Sequence, residues 1–151
     1  MSAIFEGDLI RPLGLVTLYS AYAEGELDDF IELVSVAEPY EDEKHQWSVG
    51  RKLGHARKLL SDLRVEDAQA AIALLDEGRT LVEGRNALVH GRINAGGRLV
   101  SNRRGTSERR VTPEEITQLA ERIRVWKERI WAYRSKSLAP QLASVGRSSG
   151  A

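Results

Sequence analysis

The chain has 151 residues, 42% of them hydrophobic, with 22 Lys and Arg against 22 Asp and Glu and no cysteine. That composition describes one globular domain; it excludes a disulfide framework, a thiolate nucleophile and a Cys-built zinc site, and with three histidines we expect neither a bound metal nor a cofactor. Glu6 and Asp8 make the start acidic, and Arg11 and Pro12 break the apolar stretch Leu9 to Tyr19, so neither a signal peptide nor a membrane span is expected and the reading is cytoplasmic.

Helical periodicity dominates. A first helix is predicted from about residue 8 to 23, with Asp8 as N-cap, Pro12 in the first turn and Gly25 as its end. A second, about 26–37, carries Leu27, Phe30, Ile31 and Val34 on one stripe and stops at Pro39. A third, about 41–63, repeats at Val49, Leu53, Ala56, Leu60 and Leu63, which predicts lengthwise packing on a partner helix. A fourth, about 66–93, holds Ala68, Ile72, Leu75, Val82, Val89 and Ile93 and is interrupted by Gly78 and Gly84, each unfavourable by about 1 kcal/mol relative to Ala.

Asn94-Ala95-Gly96-Gly97 is turn chemistry, and the polar stretch from Arg98 to Val111 reads as a short exposed β-ribbon or loop. Thr112-Pro113-Glu114-Glu115 then has the capping-box arrangement, followed by Ile116, Leu119, Ile123, Trp126, Ile130 and Tyr133 at 3-4 spacing. The Ser-, Gly- and Ala-rich tail, 138–151, is expected to lack order. The sum is an all-α bundle of four to five helices in a single domain, 1–137, with an Arg-rich ribbon or loop before the last helix.

Charge is divided along this chain. Residues 1–43 hold 11 acids and one base, a net of −10, so the remainder carries +10. Within the remainder, residues 85–110 contain seven arginines opposed only by Glu108. Such asymmetry points either to a surface that meets a polyanion or to pairing of the acidic part with the basic one.

The densest positive stretch begins in the fourth helix at Gly84-Arg85-Asn86-Ala87-Leu88-Val89-His90-Gly91-Arg92. On an ideal helix Asn86 and His90 are i, i+4 neighbours about 40° apart, while Arg85 lies about 140° from His90 and about 7.5 Å along the axis. Arg85 must reach around the helix, or the two groups must meet across a symmetric dimer. Arg-Asn-x-x-x-His near the end of a helix, followed by a basic segment and one long closing helix, resembles the HEPN superfamily (higher eukaryotes and prokaryotes nucleotide-binding domain) at Arg85, Asn86 and His90, and the helix layout is similar over most of residues 8–136.

The resemblance implies a metal-independent endoribonuclease, and the residue types suit that chemistry on their own account. His90 titrates near neutrality and can serve as base or acid. Arg85 offers phosphate a planar, permanently charged fork. Asn86 can hydrogen-bond phosphate or ribose, or orient the imidazole. One protomer supplies one such histidine, whereas a homodimer that pairs two motifs, as HEPN proteins commonly do, would supply base and acid together. Arg92, Arg98, Arg103, Arg104, Arg109 and Arg110 are the expected RNA contacts. A toxin or defence effector is one setting for such an enzyme, with an antitoxin as its partner. Some HEPN toxins have a tyrosine two residues after the histidine; Arg92 stands there, so no modification is predicted. The other readings are a non-catalytic RNA- or nucleotide-binding module of the same type, and a structural helical interaction protein.

The remaining polar and aromatic residues read as structural. His45 and His55, about 80° and about 15 Å apart on the third helix, cannot share a metal, although Lys44, Arg51 and His55 would line a cleft if that helix faced the fourth. Trp126 belongs to the core, Trp47 and Trp131 lie off their stripes, and Glu114 and Glu115 serve the helix start.

Overall fold

The computed structural model describes residues 6–90, 92–94, 98–100 and 109–149, with side chains from Gly7 to Val89 and from Arg110 to Val145. It is an all-α bundle: α1 (Glu6–Val34), α2 (Asp42–His45), α3 (Val49–Asp62), α4 (Ala68–His90), α5 (Pro113–Tyr133) and α6 (Ala139–Ser149), with a π-helical turn, Arg134–Leu138, joining the last two. No described helix is long and apolar enough to cross a membrane.

Gly25 does not end the first helix. Leu9, Val16, Ala23 and Phe30 recur every seven residues, and with Leu27, Ile31 and Val34 they form one buried seam that passes through the glycine. Gly25 faces outward, with nothing within 4 Å of an added Cβ. Its helix-weakening effect, about 1 kcal/mol, is outweighed by the apolar burial on both sides. The two helices predicted over 8–37 are therefore one, about 44 Å long, and Pro12 lies inside it rather than in its first turn.

The third predicted helix is divided instead. The chain leaves helix after His45, and Ser48 restarts it by accepting a hydrogen bond from the Arg51 backbone N–H at 3.3 Å. Leu53, Ala56 and Leu60 are buried as the spacing predicts, with Val49 and Leu63 packed at the edge. On α4 the core residues are Ala71, Ile72, Leu74, Leu75, Leu81 and Leu88, while Val89 is 44% exposed and lies off the seam. The glycines of α4 are points of close approach: a Cβ at Gly78 would lie 2.5 Å from Trp126 Cζ2, and one at Gly84 would lie 3.3 Å from Leu119 Cδ1.

Helix α5 begins as its capping box predicts, with Thr112 Oγ1 accepting from Glu115 N–H at 3.1 Å. Its seam of Ile116, Ala120, Ile123, Trp126 and Ile130 runs along α1 and α4. Beyond it the tail is helical, where composition predicts no order. Leu138 is fully buried, Leu142 packs on the core, and the Gln141 side chain accepts from Glu66 N–H at 2.8 Å, so tertiary docking overrides a weak local preference. Between α4 and α5 the backbone forms three short antiparallel strands, β1 (Arg92–Asn94), β2 (Arg98–Val100) and β3 (Arg109–Arg110), in that order.

Candidate functional site

Arg85 and Asn86 lie on the last turns of α4 and are both half-buried. Arg85 Nη1 donates to Asn86 Oδ1 at 3.0 Å, so the amide oxygen holds the guanidinium and the amide N–H2 remains for another acceptor. Arg85 Nε is buried with no hydrogen-bond partner among the described residues. Among the described residues no carboxylate forms an ion pair with Arg85, so its charge is met only by the neutral amide.

The other predicted residues are placed in part. His90 is the last residue of α4, and its side chain lies outside the described residues. Arg92, Arg98 and Arg109 lie on β1, β2 and β3, described by backbone alone. Arg103 and Arg104 lie outside the described residues. Arg110 is exposed. The ribbon's register sets Arg98 directly opposite Arg110.

Arg85 also helps to wall a cavity of about 190 Å³ between α1, α3, α4 and α5. Ser20 and Glu24 reach it from α1, Val49 from α3, Val82 from α4, and Ile123 and Trp126 from α5. Ser20 Oγ, like Arg85 Nε, is buried without a hydrogen-bond partner among the described residues. Each such buried orphan costs about 1–3 kcal/mol.

Beside this cavity is a charged cluster that the sequence pattern does not single out. Lys52, 1% exposed, places Nζ 2.9 Å from both Glu24 Oε1 and Asp28 Oδ1. Tyr40 donates its hydroxyl to the same Asp28 oxygen at 2.6 Å, and its ring stacks on His45 with centroids 4.0 Å apart. Buried Glu26 accepts from the Arg134 guanidinium at the start of the π-turn. The acidic N-terminal part is thus partly neutralised from the basic remainder, as one of the two charge readings predicts. The cations used are Lys52, Arg134 and Lys44, which lies 3.8 Å from Glu38, with the His45 ring 4.0 Å from Asp28; among the described residues none of them comes from 85–110. The available signals were a lone lysine beside an apolar seam and two acids spaced i, i+4 on α1.

Lys44, Arg51 and His55 each meet a group of their own region. Arg51 stacks over Trp47 at 3.9 Å, His55 meets the same indole edge-on at 5.2 Å, and Lys44 Nζ turns to Pro39 O at 3.3 Å. Burial lowers the His55 pKa, with Lys44, Lys58 and Arg51 acting in the same sense against Glu38. Among the described residues no three His, Asp or Glu side chains are grouped to hold a metal ion. Comparisons with protein-family models, curated proteins and solved structures returned no match.

Proposed function

We propose that the chain is a metal-independent endoribonuclease of the HEPN type, acting as a homodimer in the cytoplasm. The observation that best supports this reading is the Arg85–Asn86 pair, a guanidinium positioned by a neutral amide and without a carboxylate partner among the described residues, on the helix that ends at His90. A catalytic cation already neutralised by a carboxylate would have less charge to offer a phosphorane; this one retains it.

The reaction is an internal transesterification. The ribose 2′-oxygen bonds to the adjacent phosphorus as its proton passes to a base, the bond from phosphorus to the 5′-oxygen breaks, and an acid protonates that leaving oxygen. The products are a 2′,3′-cyclic phosphate and a 5′-hydroxyl. His90 of one protomer serves as base and His90 of the other as acid. Arg85 stabilises the negative phosphorane, and Asn86 fixes Arg85 while its amide N–H2 reaches phosphate or ribose. Arg92, Arg98, Arg103, Arg104, Arg109 and Arg110 hold the RNA backbone. A toxin or defence role, with an antitoxin partner, is consistent with such an enzyme.

A second reading, a non-catalytic RNA-binding module, is supported by the Arg98–Arg110 register, which sets two basic residues opposite each other in the ribbon and requires neither a base nor an acid. The test is incubation of the full chain with total RNA and EDTA. Wild type should yield 2′,3′-cyclic phosphate ends, and His90→Ala and Arg85→Ala should each cut about 100-fold or more slowly. Intact RNA with salt-sensitive binding supports the second reading, and equal cutting by the variants rejects this motif. Absence of both binding and cutting leaves a structural helical interaction protein.

A further inference from the structure

The cavity beside Arg85 is built from more groups than RNA cleavage uses. Its α1 wall carries Glu24, and Glu24 shares the single Lys52 ammonium with Asp28, so two carboxylates face one cation and this side keeps a net negative charge. Its α4 wall carries Arg85, held by a neutral amide, so that side keeps a positive charge. Arg85 Nε and Ser20 Oγ are buried with no hydrogen-bond partner among the described residues, and buried polar groups in native structures are seldom left so. The remaining wall is apolar: Val49, Val82, Ile123 and Trp126.

Opposite charges on facing walls, an uncommitted hydroxyl and a hydrocarbon remainder are complementary to a zwitterion with an apolar side chain. A neutral ring, such as a nucleobase, would leave Arg85 without a counter-charge and the Glu24–Asp28 pair with one lysine between them. At about 190 Å³ the cavity is larger than the ~150 Å³ that admits benzene in a protein core. It therefore has room for a molecule of leucine's size. Thr17 and Ala21, both exposed, stand at the mouth on α1.

We propose that this cavity binds a small zwitterion of the aliphatic α-amino acid class. The ligand carboxylate accepts from Arg85 Nε and the Ser20 hydroxyl, its ammonium sits against Glu24, and its hydrocarbon packs on Val49, Val82 and Trp126. Binding at this site requires no RNA and goes beyond the ribonuclease reading.

Calorimetric titration of the full chain tests it with three probes: L-leucine, 4-methylpentanoate, which lacks the ammonium, and 3-methylbutylamine, which lacks the carboxylate. L-leucine should bind saturably at one site per chain, and each half-probe at least tenfold more weakly. Glu24→Gln should weaken L-leucine and spare 4-methylpentanoate. Ala21→Trp, at the exposed mouth, should abolish L-leucine binding with the melting temperature unchanged. No saturable L-leucine binding at about 10 mM, half-probes that bind equally well, or undiminished binding in Ala21→Trp would each overturn the proposal. So would binding of guanosine in place of L-leucine.

Discussion

Lys52 Nζ lies 2.9 Å from Asp28 Oδ1 with 1% of the lysine side chain exposed, so the ammonium has exchanged water for carboxylates. Removing one partner of such a pair leaves a charge uncompensated, at about 3–5 kcal/mol, whereas an apolar residue of similar volume restores part of the loss through packing. Denaturant unfolding should therefore find Lys52→Ala destabilised by about 3–5 kcal/mol and Lys52→Met by less. Equal losses would mean that the packing of the stem is unimportant.

The same cluster makes stability fall on the alkaline side. Burial draws the Lys52 pKa down, but hydrogen bonds and charge from Glu24 and Asp28 outweigh it and hold the group above its ordinary 10.5. Burial, then the bond to Asp28, raises Tyr40 well above its ordinary 10.0. Both groups keep their protons more tightly when folded, so their contribution is complete below about pH 10 and is lost as pH rises through the folded values. Thermal melts should show a falling melting temperature above about pH 10, with a shallower fall in Tyr40→Phe.

Two glycines in helix interiors should respond with opposite sign. Gly25→Ala places a methyl group in open space and should stabilise by about 0.5–1 kcal/mol. Gly78→Ala drives a methyl group into the Trp126 indole and should destabilise by about 1–3 kcal/mol. Equilibrium unfolding of both variants checks the pair, and stabilisation by Gly78→Ala would be incompatible with the α4–α5 contact.

His55 should titrate below its ordinary 6.5, because burial is the leading cause and three cations add to it. The unfolded chain then takes up this proton first as pH falls, so His55 contributes to a loss of stability below about pH 6.5. An NMR titration of the imidazole reads the midpoint. A value at or above 6.5 contradicts the burial of the ring against Trp47.

How much of this was legible depends on whether a signal is local. The seams of α3 and α5 and the Thr112 cap could be read from spacing, because each is set within a few turns of one helix. Gly25 misled because a glycine permits a break without requiring one, and the heptad recurrence of Leu9, Val16, Ala23 and Phe30 decided the matter. The order of α6 depends on Leu138 and on Gln141 reaching Glu66, contacts between segments far apart in the chain. At the site, residue identity marked Arg85 and Asn86, and helix geometry offered Asn86 to His90. Its oxygen holds the adjacent guanidinium, and the His90 side chain lies outside the described residues. The Lys52 cluster joins α1, α3 and Tyr40 by tertiary folding, so no window of sequence displays it.

The buried indole of Trp126 has a consequence for measurement. Its N–H donates to the Leu74 carbonyl at 2.7 Å, bridging α5 to α4. That proton is withheld from solvent for as long as the two helices stay together. In heavy water its disappearance from the spectrum would time their parting, making one indole resonance a stopwatch for the bundle's opening.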